Sequence, residues 1–153
     1  MQGRDAVVAA LLLWTVGVAI FDWRQRRVPN WTLLVVLFPA ALAVLVHGEG
    51  LLGAAPIDSL FGACVGGGLL MPGYLSAKLG AGDVKLAAVH GVLLGTVGVL
   101  QALLLSALLL GLISLLVLVG LGLRRARGLR LPAAVALGGG FVAAMLLSQW
   151  SGA

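Results

Sequence analysis

Forty residues, from Val84 to Leu123, carry no charged side chain beyond Lys85. As one straight α-helix this run would measure about 60 Å, roughly twice the thickness of a bilayer's hydrocarbon core. It has to fold back on itself, and the glycines of "GTVGVLQ", Gly95 to Gln101, mark the place. The rest of the chain has the same character. Hydrophobic residues make up 61% and charged residues 10% of the 153, with a mean hydropathy of +1.15; soluble domains carry about 25% charged residues. Most of the surface must therefore face something other than water, which makes the expected fold all-α, a single polytopic domain over residues 1–153 in a lipid bilayer.

The spans can be read from their boundaries. Ala6 to Phe21 is the first, ending in the bulky and charged "IFDWRQRR" rather than a small-residue cleavage site, so it reads as a span and not a removable leader. Trp31 to His47 follows, with Pro29 and Asn30 as helix-start signals. A third runs from Ser59 to about Ala77, with Pro72 and Gly73 expected to break it. The long run supplies two more, and Pro132 to Trp150 the last, giving six transmembrane helices. This count puts Arg24, Arg26, Arg27, Lys78, Lys85, Arg124, Arg125, Arg127 and Arg130 on one side, leaving only Arg4 opposite. By the positive-inside rule that side is cytoplasmic and both termini lie outside.

The five acids divide differently. Asp5, Glu49 and Asp58 fall in outer loops, where a carboxylate is expected to be simply solvated. Asp22 and Asp83 fall on the cytoplasmic side, each at the membrane edge of a helix, where a lone charge is costly. Each has an ordinary explanation. Asp22 could pair weakly with Arg24, Arg26 or Arg27. Asp83, in "GAGDVKL", could be the N-cap of the helix that follows, although a cap does not need the backbone freedom that Gly80 and Gly82 supply ahead of it. Together they offer more. Two carboxylates brought close cannot both ionise cheaply, so one keeps a proton while the other is charged, the division of labour that lets one activate water and the other protonate a scissile carbonyl. Serines have no neighbouring base, Cys64 is the single cysteine, and His47 and His90 stand far apart, so neither a metal site nor a cofactor is expected.

These segments resemble the prepilin peptidases, or type IV leader peptidases. "GAGDVKL" fits that family's GxGDxK pattern, "DWRQRRVPN" resembles its first-aspartate segment, and "RGLRLPAAVALGGG" its late basic loop and small-residue helix. The resemblance implies an aspartic endopeptidase with Asp22 and Asp83 as the catalytic pair. Gly80 and Gly82 would shape the loop holding Asp83, with Lys85, Pro29 and Asn30 as supporting motif positions. It further implies the small, peptidase-only branch, without a methyltransferase or zinc-binding portion. The expected partners are prepilin-like proteins, cut at a short basic leader on the cytoplasmic face of the inner membrane, and the lipid bilayer itself; no nucleic acid is expected.

Two rivals use the same residues: a small transporter binding a proton or cation at the two aspartates, and a non-catalytic secretion subunit. Gly62/Gly66 and Gly91/Gly95, each four apart, could dock a substrate helix but more simply pack this chain's own helices. His90 could relay protons but more simply is a packed, hydrogen-bonded histidine. Trp14, in mid-span, is expected to pack; Trp23, Trp31 and Trp150 suit the membrane interface.

Overall fold

A computed structural model describes residues 2–25, 29–77, 79–126 and 133–151, and within these all side chains except those of 2–4, 23, 25, 121–126, 133, 134 and 149–151. Arg26, Arg27, Lys78, Arg127, Arg130 and Pro132 lie outside the described residues, as do the side chains of Arg4, Trp23, Arg124, Arg125 and Trp150. Among the described residues the regular structure is all helix: α1 (Gln2–Gln25), α2 (Asn30–His47), α3 (Pro56–Leu75), α4 (Ala81–Ala126) and α5 (Ala133–Ser151).

By length and hydropathy α1, α2 and α4 can cross a membrane, and α5 holds a shorter apolar stretch, Val135–Ser148. The outer surface is apolar in keeping with this. Leu45 is 82%, Val119 78% and Leu13 75% exposed, on three different helices, a surface that water would not tolerate over such an extent. The protein is a membrane protein.

Among the described residues five helical elements appear where six were expected, because α4 runs through the place of reversal without a loop. The reversal is nevertheless present, at Gly95. Its φ of +72° is left-handed, the conformation that glycine adopts at least cost. A side chain on Gly66 would strike both Ala87 and Val99, residues that a straight helix holds about 18 Å apart. The second arm therefore begins as a new helix at Thr96, whose backbone N–H donates to Asp58 Oδ1 at 3.1 Å. Asp58, in the first turn of α3, is half-buried and acts as the cap of this arm. It is not the solvated loop residue expected, since the loop that would have carried it is already helix by Pro56.

The Pro72–Gly73 break is also absent, and α3 continues to Leu75. Pro72 lies one turn from the end, where its ring sacrifices a single helical hydrogen bond, while its carbonyl still accepts from both the N–H (3.0 Å) and the hydroxyl (2.7 Å) of Ser76.

Glycines set the helix spacing. A Cβ on Gly62 would meet the backbone of Gly91 and Gly95, and one on Gly91 the backbone of Gly62. The stripe packs the protein's own helices, so α3 lies in backbone contact with α4. Helix α5 fits against α4 in the same way, with Gly140 against Ala102 and Ser106, and it buries Phe141, Ala144 and Met145 completely. Asp58→Ala should lower the thermal midpoint in detergent, in keeping with a lost cap worth about 1 kcal/mol, and Asp58→Asn, which keeps an acceptor, should lower it less. Gly91→Leu should leave little folded protein on size-exclusion chromatography.

Candidate active site

Three chain segments meet at one end of the bundle: the last turns of α1, the start of α2 and the start of α4. Asp22 lies in the last turn of α1 and is half-buried. Asp83 lies in the first turn of α4 and is half-buried as well. Their carboxylates are close enough for each to act electrostatically on the other.

The backbone delivers Asp83 by a tight path. After α3, Ala77 takes a left-handed φ of +54°. The chain then returns so that Leu79 N–H donates to Gly73 O at 3.1 Å, with the Leu79 side chain lying over Gly73. Helix α4 starts at Ala81, three residues before the start that an N-terminal cap at Asp83 would require. Asp83 is therefore not the cap. It reaches back from inside the first turn: Gly80 N–H donates to Asp83 Oδ2 at 3.1 Å, and Asp83 N–H donates to Gly80 O at 3.1 Å. This is the carboxylate half of a capping box, with glycine in the cap position and its backbone carbonyl accepting where a cap side chain otherwise would. Gly80 does not need its conformational freedom, since its φ is not left-handed. Its small size matters instead, because a Cβ there would come to 3.3 Å from Asp83 Oδ2.

The other motif positions join this end. Lys85 Nζ donates to Asn30 Oδ1 at 3.0 Å, tying the start of α4 to the start of α2 across 55 residues of sequence. Pro29 O accepts from both the N–H (3.1 Å) and the hydroxyl (2.7 Å) of Thr32, which closes the first turn of α2. Thr32 O in turn accepts from Trp14 Nε1 at 2.7 Å, binding α2 to α1. Beside Asp22 and Asn30, Phe21 and Trp31 meet edge to face, with ring centroids 5.6 Å apart. Asp22, Pro29, Asn30, Gly80, Gly82, Asp83 and Lys85 thus all lie at the same end of the bundle. The Trp14–Thr32 bond and the partners of His90 had no signal in the sequence beyond the rarity of such residues in an apolar span.

Among the described residues, no three His, Cys, Asp or Glu side chains come together in a way that could hold a metal ion. A groove of about 850 Å³ lies away from this end, bordered by Val7, Leu42, Val46 and Leu52, and includes neither aspartate.

The type IV leader peptidase family model matches residues 9–116, a span that contains both aspartates and all three meeting segments. The chain belongs to the type IV leader peptidase family and is a membrane protease of the prepilin peptidase kind. Neither the curated proteins nor the solved structures compared with it contain a match.

The Lys85–Asn30 bond predicts non-additive kinetics. Lys85→Met and Asn30→Ala should each slow leader cleavage. The double variant should be little slower than the worse single one, with a coupling of about 0.5–1.5 kcal/mol in a double-mutant cycle.

Proposed function

We propose that the protein is an aspartic endopeptidase of the GxGD type, in which Asp22 and Asp83 remove the short basic leader of prepilin-like proteins. The observation that carries this reading is that Asp22, at the end of one helix, lies near enough to act electrostatically on Asp83, at the start of another, although the two acids are 61 residues apart in sequence. Family membership implies prepilin-like substrates. In the reaction, the charged carboxylate takes a proton from water as that water's oxygen bonds to the scissile carbonyl carbon. The protonated carboxyl donates to the carbonyl oxygen. Collapse of the tetrahedral intermediate then breaks the C–N bond, and the leaving amine takes up a proton from the pair. All of this chemistry belongs to side chains, so no cofactor takes part.

The same reading places the two arms of α4 as separate crossings, which with α1, α2, α3 and α5 makes six. Both termini would then lie outside and the aspartate end would face the cytoplasm across the inner membrane. The basic residues Arg24 and Lys85, at the aspartate end, support this orientation. The transporter alternative finds no support, since ion-coupled sites favour acids at mid-bilayer on broken helices, and these acids terminate α1 and begin α4.

Coexpression with a prepilin substrate is the test. Asp22→Asn and Asp83→Asn should each abolish leader removal while the protein still inserts at normal level. Normal processing by both variants would overturn the proposal.

A further inference from the structure

We infer that Trp14 and His90 are positioning residues that set the separation of Asp22 and Asp83; this rests on the dyad reading for its catalytic consequence. Trp14 precedes Asp22 by eight residues and His90 follows Asp83 by seven. These steps correspond to about 12 Å along α1 and about 10 Å along α4. The two rings thus lie at matching depth beneath the two acids. Seven residues at about 100° each fall only about 20° short of two turns, so His90 shares a helix face with Asp83.

The rings meet. Trp14 and His90 pack edge to face, with centroids 6.1 Å apart and planes at 87°. His90 stacks on Phe141 of α5 at 4.2 Å with planes 14° apart, and Trp14 stands edge-on to the same ring at 6.4 Å. Helix α1 rests chiefly on α5 rather than along α4. This aromatic triad is therefore what fixes the depth of α1 relative to the start of α4.

The contacts form a closed circuit. From Asp83 it runs through Lys85 to Asn30 at the start of α2, and from there through Thr32 to Trp14 on α1. It returns through His90 to α4. Aromatic pairs of this geometry are worth about 0.5–1.5 kcal/mol beyond their burial, and a rigid frame matters because a misplacement of about 1 Å can cost a hundredfold in rate.

His90 acts here through its ring. It is 2% exposed, and its Nε2 has no hydrogen-bond partner among the described residues. A flat slab wedged between Trp14 and Phe141 needs no such partner, and phenylalanine should replace it.

Disulfide formation reports the spacing without depending on catalysis. In a Cys64→Ser background, Asp22→Cys and Asp83→Cys would be paired and oxidised with copper phenanthroline. Trp14→Ala or His90→Ala should slow cross-linking about fivefold or more, and His90→Phe should restore it. With the aspartates intact, the alanine variants should lower kcat about tenfold or more with KM changed less than twofold, and His90→Phe should recover kcat. Should His90→Ala fail to accumulate, His90→Leu carries the same expectation, since it keeps volume without a plane to stack. Cross-linking and kcat that are indifferent to both residues would overturn the inference. Dependence of cross-linking on the rings, together with normal cleavage by the Asp→Asn variants, would instead uphold the positioning and overturn the dyad.

Discussion

Backbone contact between Gly62 and Gly91 is the constraint from which the rest of the bundle follows. Lipid tails are as apolar as leucine, so burying leucine between helices in a bilayer yields little; close van der Waals contact has to hold the helices together. With no Cβ at 62, 66 or 91, α3 can lie directly on α4. The left-handed turn at Gly95 then brings Val99 back against the same face of α3. That turn leaves the N–H of Thr96 without a helical acceptor, and Asp58 stands where it can accept it. Helix α5 repeats the device at Gly140, and only because it approaches so closely can Phe141 reach the ring of His90.

A consequence of this packing is where the charge can go. Along the spans the surface is largely leucine and valine, so among the described residues the carboxylates lie at or beyond helix ends, where water or a partner can reach them. Asp22 closes one helix and Asp83 opens another, and the packing beneath them brings the two ends together. The start of α4 is stitched by short local bonds, Gly80 with Asp83 and Leu79 with Gly73. Its attachment to α2 is one long-range bond from Lys85. A site built in this way is held within each segment by short local bonds and between segments by the Lys85–Asn30 and Trp14–Thr32 bonds.

Much of this was legible in the residues. Span positions follow from apolar runs bounded by charges, and the bounds agree with the observed helices to within a few residues. The grouping of Asp22, Asp83, Lys85 and Asn30 at one end was legible from topology, because alternating spans bring alternate loops to the same side. Local geometry was less so. Asp83 invited the role of cap, whereas it works from inside the turn, because a helix start is decided by which amide finds an acceptor. Pro72 signalled a break that a single lost hydrogen bond near a helix end does not enforce. Asp58 gave no sign of its partner, since Thr96 is 38 residues away.

The sequence by itself determined that this chain lives in a membrane, that its long run reverses near Gly95, and that two acids are set apart from the rest. These are one-dimensional quantities: hydropathy summed over a span length, and charges counted loop by loop. Tertiary structure alone decided what lies beneath the acids. The contacts of Trp14 with His90, of His90 with Phe141, and of Asp58 with Thr96 depend on the rotation and depth of each helix against its neighbours. Those are set by side-chain shape at close range, and no pattern along a single helix encodes them.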